Sequence, residues 1–198
     1  ITIYNSRIAG FGNYGVNVVN SENVNIFASD IGDLQSFGVH MDGGDNVTLA
    51  SSNNEIRNTK IHDYAKIFES GRPGLDISGV GVWAHNNEIA NSPHQGITFT
   101  GNDHIISNNR IRNVLKYSWD SGAVYGGRSW TTRGVKITDN FIYNTTDVVD
   151  CINGFRDAPQ GGGTDNMGIY LDDLLSGVTV EGNLIYNMSS GLMGGGGS

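Results

Sequence analysis

A glycine followed by an apolar-polar-apolar stretch, or close to it, recurs along the chain. It reads GVNV (15–18), GVHM (38–41), GLDI (74–77), GITF (96–99), GAVY (122–125) and GIYL (168–171), with a shortened echo, GLM, at 191–193. The shortest spacings, about 22–23 residues, fall in the range of solenoid repeats that stack one set of strands per turn. Longer gaps mark insertions around 59–72, 115–119 and 144–166. A second column runs in step: Ile8, Ile31, Ile56, Ile89, Ile111, Ile142 and Ile185 each follow by two residues Ser6, Ser29, Asn54, Asn87, Asn109, Asn140 and Asn183. A third is apolar-x-apolar or close to it: Ile1/Ile3, Val24/Ile26, Val80/Val82, Ile105/Ile106, Val135/Ile137 and Val178/Val180.

Short strands with period-2 alternation cannot bury a face alone; stacked about 4.8 Å apart they share a continuous apolar interior. Identical Asn side chains at successive turns can hydrogen-bond along the stack as a ladder that fixes register. Helical periodicity is not sustained anywhere. The pattern predicts an all-β, right-handed parallel β-helix of about seven turns, three short strands per turn, with an Asn ladder.

Composition narrows the function classes. The formal charge is −8 with acids scattered, and no basic stripe suits a nucleic-acid backbone. No apolar run is long enough for a membrane-spanning helix. A single cysteine, Cys151, rules out an internal disulfide framework. Residues 1–193 read as the β-helix and 194–198, GGGGS, as a linker or tag. The first rung starts without a polar or helical cap, and the echo at 191–193 sits at the other end. The expectation is therefore a fragment of a longer chain whose flanking domain, or a partner chain, caps the ends.

With each glycine as register mark, Val16, Val39, Leu75, Ile97, Ala123 and Ile169 point inward. Asn17, His40, Asp76, Thr98, Val124 and Tyr170 point outward, and Tyr125 falls into the core. The outer face suits an extended, hydroxyl-rich polymer. Asp120 is either an Asx-turn residue or a catalytic carboxylate at a strand mouth, with His94 one rung below. Asp172 should face outward beside Tyr170, with Asp173 capping the next turn; adjacent carboxylates can also raise one another's pKa, as general acid work requires. On this register Asp120 and Asp172 lie roughly 20 Å apart at about 3.3 Å per residue. Arg128 could pair with a carboxylate, orient a sugar acid or brace its loop. Trp130 and Trp119 are candidates for stacking on sugar rings or for packing under the insertion. Residues 42–46 (DGGDN) could hold calcium through oxygen ligands or form a glycine turn. Residues 144–166 are acidic and glycine-rich, as expected of a loop overhanging the groove. Phosphate-loop, HExxH and GxSxG motifs are absent from the sequence.

The succession PHQGITFTGNDHIISNNRI, DSGAVYGGRSWTTRGVKITDNFIYN and GIYLDDLLSGVTVEGNLIYN resembles bacterial secreted parallel β-helix proteins of the glycoside hydrolase family 141 type, over roughly residues 80–190. That family includes α-L-fucosidase and xylanase activities. The resemblance implies a secreted or periplasmic protein acting on a polysaccharide or oligosaccharide. It also implies a catalytic pair at Asp120 and Asp172, with Asp173 as alternate; the residues themselves put forward His94, Arg128, Tyr170 and Trp130 as substrate contacts. The chain departs from the pattern at Ser129, where an acid commonly follows the glycine-arginine. A polysaccharide lyase or epimerase, and a non-catalytic β-helix scaffold or adhesin segment, are the alternatives.

Overall fold

The computed structural model describes residues 1–118, 120–145 and 166–195. These form three parallel sheets of seven strands, and the chain visits each sheet once per turn for seven turns. Sheet A holds Thr2–Tyr4, Asn25–Phe27, Glu55–Arg57, Trp83–His85, Ile105–Ser107, Val135–Thr138 and Val178–Glu181. Sheet B holds Arg7–Ala9, Asp30–Gly32, Lys60–His62, Glu88–Ala90, Arg110–Arg112, Phe141–Tyr143 and Leu184–Tyr186. Sheet C holds Val16–Val18, Val39–Gly43, Leu75–Gly79, Ile97–Phe99, Ser121–Gly127, Asn166–Asp172 and Ser190–Gly194. The expected parallel β-helix is present, and the echo at 191–193 is its seventh strand in sheet C.

One apolar side chain per short strand enters the interior. In sheet B the column is Ile8, Ile31, Ile61, Ile89, Ile111, Ile142 and Ile185, each paired in register with the next. In sheet A it is Ile3, Ile26, Ile56, Ala84, Ile106, Ile137 and Val180. Two expectations are thereby corrected. Ile56 belongs to sheet A, and Ile61 takes its place in sheet B. Val80 and Val82 are buried but precede the strand, and Ala84 fills the inward position. The cause is the loop after Val39–Gly43, pinned by a bridge between Asp45 and Ala50. It lengthens the turn and places Asn53-Asn54 at a different corner, with the same look as an A-to-B doublet.

That doublet is the structural signature of the corner between sheets A and B. Its first residue has left-handed backbone: Asn5, Ala28, Asn58, Asn86, Asn108 and Asp139 have φ between 45° and 60°, and Gly182 has φ 67°. Asn, Asp and Gly tolerate this region better than other residues. The second residue is the ladder. The Ser6 amide donates to Ser29 Oγ, Ser29 to Thr59 Oγ1, and Thr59 to Asn87 Oδ1. Asn87 then donates to Asn109, Asn109 to Asn140 and Asn140 to Asn183, each at 2.9–3.0 Å. The Asn side-chain amides also donate inward, to the carbonyls of Ile56, Ala84, Ile106 and Ile137. Asn87, Asn109 and Asn140 are almost fully buried.

The register of sheet C differs by one residue from the glycine alignment at a single rung. Ile97 pairs with Val124, and Val124 with Ile169. Ala123, not Gly122, therefore occupies the corner used by Gly96 and Gly168. Val124 is fully buried, correcting its outward placement. Tyr125 lies on the outer face beside Thr98 and Tyr170, correcting its placement in the core. Gly122 is glycine for a different reason: a Cβ there would come within 2.7 Å of Tyr170 Cβ. A Cβ on Gly126 would meet the Phe99 ring at 2.3 Å, so that ring fills the missing side chain's space.

Replacing Asn109 by Ala removes the acceptor for the Asn87 backbone and side-chain amides and the donor to the Ala84 carbonyl. The expected loss is about 2–4 kcal/mol, measured by urea denaturation, because the stranded groups are buried.

Candidate functional site

The outer face of sheet C carries two polar columns. The first runs Asn17, His40, Asp76, Thr98, Tyr125 and Tyr170, neighbours in register on successive rungs. The second, two residues further along each strand, includes the pair Asp42 and Ser78 and the pair Gly127 and Asp172. At the N-terminal end the groups saturate one another. His40 Nδ1 lies 3.0 Å from Asp76 Oδ2, and Thr98 Oγ1 donates to Asp76 Oδ1 at 2.7 Å. Asp42 accepts from Ser78 Oγ and from the Asn20 amide. The bond to Asp76 holds the His40 pKa above its ordinary 6.5; burial opposes this, and the charges of Asp76 and Asp42 add to it.

At the C-terminal end two tyrosines and two aspartates converge. Tyr125 donates its hydroxyl to Asp172 Oδ2 at 2.9 Å, and Tyr170 donates to Asp120 Oδ1 at 3.3 Å. The rings meet edge to face, 5.6 Å between centroids. Burial, then the bond to Asp172 and its charge, push the Tyr125 phenol up to about 12. Asp172 is also the largest cause of an upward shift at Tyr170, ahead of burial and of Asp120. The two carboxylates are thus linked through the touching phenols, Asp120 on Tyr170 and Asp172 on Tyr125. In register Asp120 precedes the Ser121–Asn166 pair, seven positions before the Gly127–Asp172 pair, so the backbone separation of the two aspartates stays as long as expected. The left-handed turn at Asp120 (φ 52°) and the Tyr170 side chain bring the Asp120 carboxylate to the tyrosine pair that also holds Asp172.

The other candidates are placed as follows. The Asp173 carboxylate lies 3.4 Å from Arg128 Nε, and the Arg128 amide donates to the Asp173 carbonyl, so this pair braces one turn against the next. Both side chains are exposed, which limits the pair's contribution to stability. Tyr170 is buried and donates its hydroxyl to Asp120, whereas Trp130 is 81% exposed. His94 lies in register with Ser121 on the preceding rung; burial lowers its pKa, and its Nδ1 is buried without a partner. Trp119 and most of the 144–166 insertion lie outside the described residues. In the 42–46 stretch, Asp45 accepts from the Val47 and Thr48 amides, and Asn46 accepts from the Asn102 side chain. Among the described residues no three His, Cys, Asp or Glu side chains cluster as metal ligands. Tyr125 is the member that sequence reading missed. Its signal was the small residue Ala123 standing in for a corner glycine.

A family model described as right handed beta helix region matches residues 1–198. The chain belongs to that family. Among solved structures, the A-module of mannuronan C-5 epimerase AlgE4 from Azotobacter vinelandii is similar at 13% identity and TM-score 0.63, covering 100% of this chain and 57% of that one. The AlgE6 A-module from the same organism matches at 13% identity and TM-score 0.66, with the same coverage. The surface protein and adhesin PfbA of Streptococcus pneumoniae has a TM-score of 0.47 at 13% identity, covering 97% of this chain and 66% of that one. The likeness to the epimerase modules shows the fold alone, and the chain spans 57% of their length. No curated protein matches the chain by sequence.

Two titrations follow from this geometry. Asp172→Asn removes an anion and an acceptor beside Tyr125, so the Tyr125 phenol should ionise below its present value of about 12, observed by NMR of its ring carbons. Asp76→Asn should lower the His40 pKa towards 6.5, read from its imidazole resonances. Because His40 is raised on folding, the stability it contributes is full below 6.5 and fades as pH rises through the raised value. Urea denaturation across that window should show the pH dependence shrinking in Asp76→Asn.

Proposed function

We propose that this β-helix is a carbohydrate-active enzyme of the glycoside hydrolase family 141 type, cleaving a glycosidic bond of a polysaccharide or oligosaccharide between Asp120 and Asp172. The observation that carries this reading is that two touching phenols hold the two carboxylates, Tyr170 bonding Asp120 and Tyr125 bonding Asp172. Glycoside hydrolysis needs two carboxyl groups roughly 5–10 Å apart across the bond. Asp120, exposed at its turn, is assigned as the acid that protonates the leaving oxygen. Asp172, already the acceptor of the short bond from Tyr125, is assigned as the base or nucleophile. Net addition of one water across the bond completes the reaction. Tyr125 and Tyr170 are neutral phenols that position the carboxylates. Trp130 is free to stack on a sugar, and Asp173 with Arg128 fixes the turn that carries Asp172. Action on an extended polymer on an open face suits a secreted or periplasmic protein. Among the described residues no helix is long and apolar enough to cross a membrane.

A second reading, C-5 epimerisation or β-elimination of an acidic sugar, is favoured by the fold likeness to two mannuronan C-5 epimerase modules. Phenols that hold protons beside carboxylates suit proton transfer at a sugar carbon.

The test is a panel of xylan-type, fucosylated and uronic-acid glycans with the unmodified protein, Asp120→Asn and Asp172→Asn. New reducing ends should appear, and each substitution should lower their rate by about 10²–10⁴ while circular dichroism stays unchanged. Activity unaffected by either change would overturn the assignment. Unsaturated, ultraviolet-absorbing products, or altered sugars without chain scission, would favour the second reading.

A further inference from the structure

Between the loop after Val39–Gly43 and the loop after Ser121–Gly127 lies an open cavity of about 590 Å³. That is within the range of about 300–1,000 Å³ typical of small-ligand sites. Its floor is the second column of sheet C, with Asp42, Ser78 and Thr100; its walls bring in Asn102, Ser129 and Arg133. The column continues through Gly127 to Asp172, so Thr100 is two rungs, roughly 10 Å at about 4.8 Å per rung, from the candidate catalytic carboxylate.

The lining is rich in hydroxyls and amides, and its charges are already engaged. Both oxygens of Asp42 accept hydrogen bonds, from Ser78 Oγ and from the Asn20 amide. The Arg133 guanidinium lies 3.8 Å from Asp103. The lining holds one carboxylate, Asp42, and one guanidinium, Arg133, itself paired with Asp103 outside the lining, so a sugar carboxylate entering here would find no net positive charge and no unpaired cation among the described lining residues. Ser129 contributes to this neutrality: Thr132 Oγ1 donates to its hydroxyl at 2.9 Å, at the position where the resembled pattern carries an acid.

We propose that this cavity is a binding subsite for an uncharged saccharide. It holds the stretch of a neutral glycan that leads to the bond between Asp120 and Asp172, with Ser129 as a residue that sets specificity against acidic sugars. The inference rests on the reading of those aspartates as the reacting pair.

The experiment measures binding by calorimetry to the Asp172→Asn protein, which removes turnover. The probes are neutral hexasaccharides (xylohexaose and a fucosylated xyloglucan fragment) and hexagalacturonate. A neutral hexasaccharide should bind at least about tenfold more tightly than the uronate. Thr100→Trp, which fills the floor, should weaken that binding by about tenfold or more with the melting temperature unchanged; Ser129→Asp should weaken it too and serves as the check if Thr100→Trp misfolds. Uronate binding as tight as the neutral sugar, no binding of either neutral probe, or neutral binding untouched in the folded variants would overturn the subsite. Neutral binding that Thr100→Trp abolishes, without hydrolysis by the unmodified protein, would leave the subsite standing and reject the hydrolase. Hydrolysis lost in Asp120→Asn but with unchanged KM in Thr100→Trp would do the reverse.

Discussion

The structure depends on the hydrogen-bonded ladder at the corner between sheets A and B. A parallel β-helix buries one apolar residue per short strand, and apolar contact alone is indifferent to small slips along the stack. The ladder is not. Each Asn amide must face the next Asn oxygen and an inward carbonyl, so a slipped turn would strand several buried polar groups at once. Register is therefore set by polar groups, and the isoleucine columns follow it.

That register has consequences at the opposite wall. Among the described residues, sheet C is the only one of the three with strands of five to seven residues, long enough to display two outward columns. Its corners admit only small side chains: a Cβ on Gly38 would come within 2.1 Å of the Gly74 carbonyl oxygen. Tight corners hold the outer columns in line from His40 to Tyr170. The face is a row of functional groups at fixed spacing, and its chemistry is decided by which residues occupy neighbouring rungs.

At the N-terminal end those neighbours satisfy one another, as His40, Asp76 and Thr98 do. At the C-terminal end the balance differs. Two phenols face two carboxylates, and Asp120 remains exposed at its turn. A groove that is self-paired at one end and carries an accessible carboxylate at the other has a direction, and the neutral cavity beside Asp172 gives that direction a use.

The sequence by itself determined the architecture, because period-2 alternation repeated at solenoid spacing leaves no other way to bury the apolar columns. It also determined the ladder, through the doublets Asn86-Asn87, Asn108-Asn109 and Asp139-Asn140, in which one residue supplies the left-handed bend and the next the amide. It did not distinguish these from Asn53-Asn54, which has the same backbone at another corner. Only the tertiary structure decided that Ala123 is the small corner residue of its rung. That single step moved Val124 into the core and brought Tyr125 out to Asp172. A one-residue shift in a strand exchanges its two faces, and a chain read by its glycines cannot reveal the shift when alanine does the same steric work.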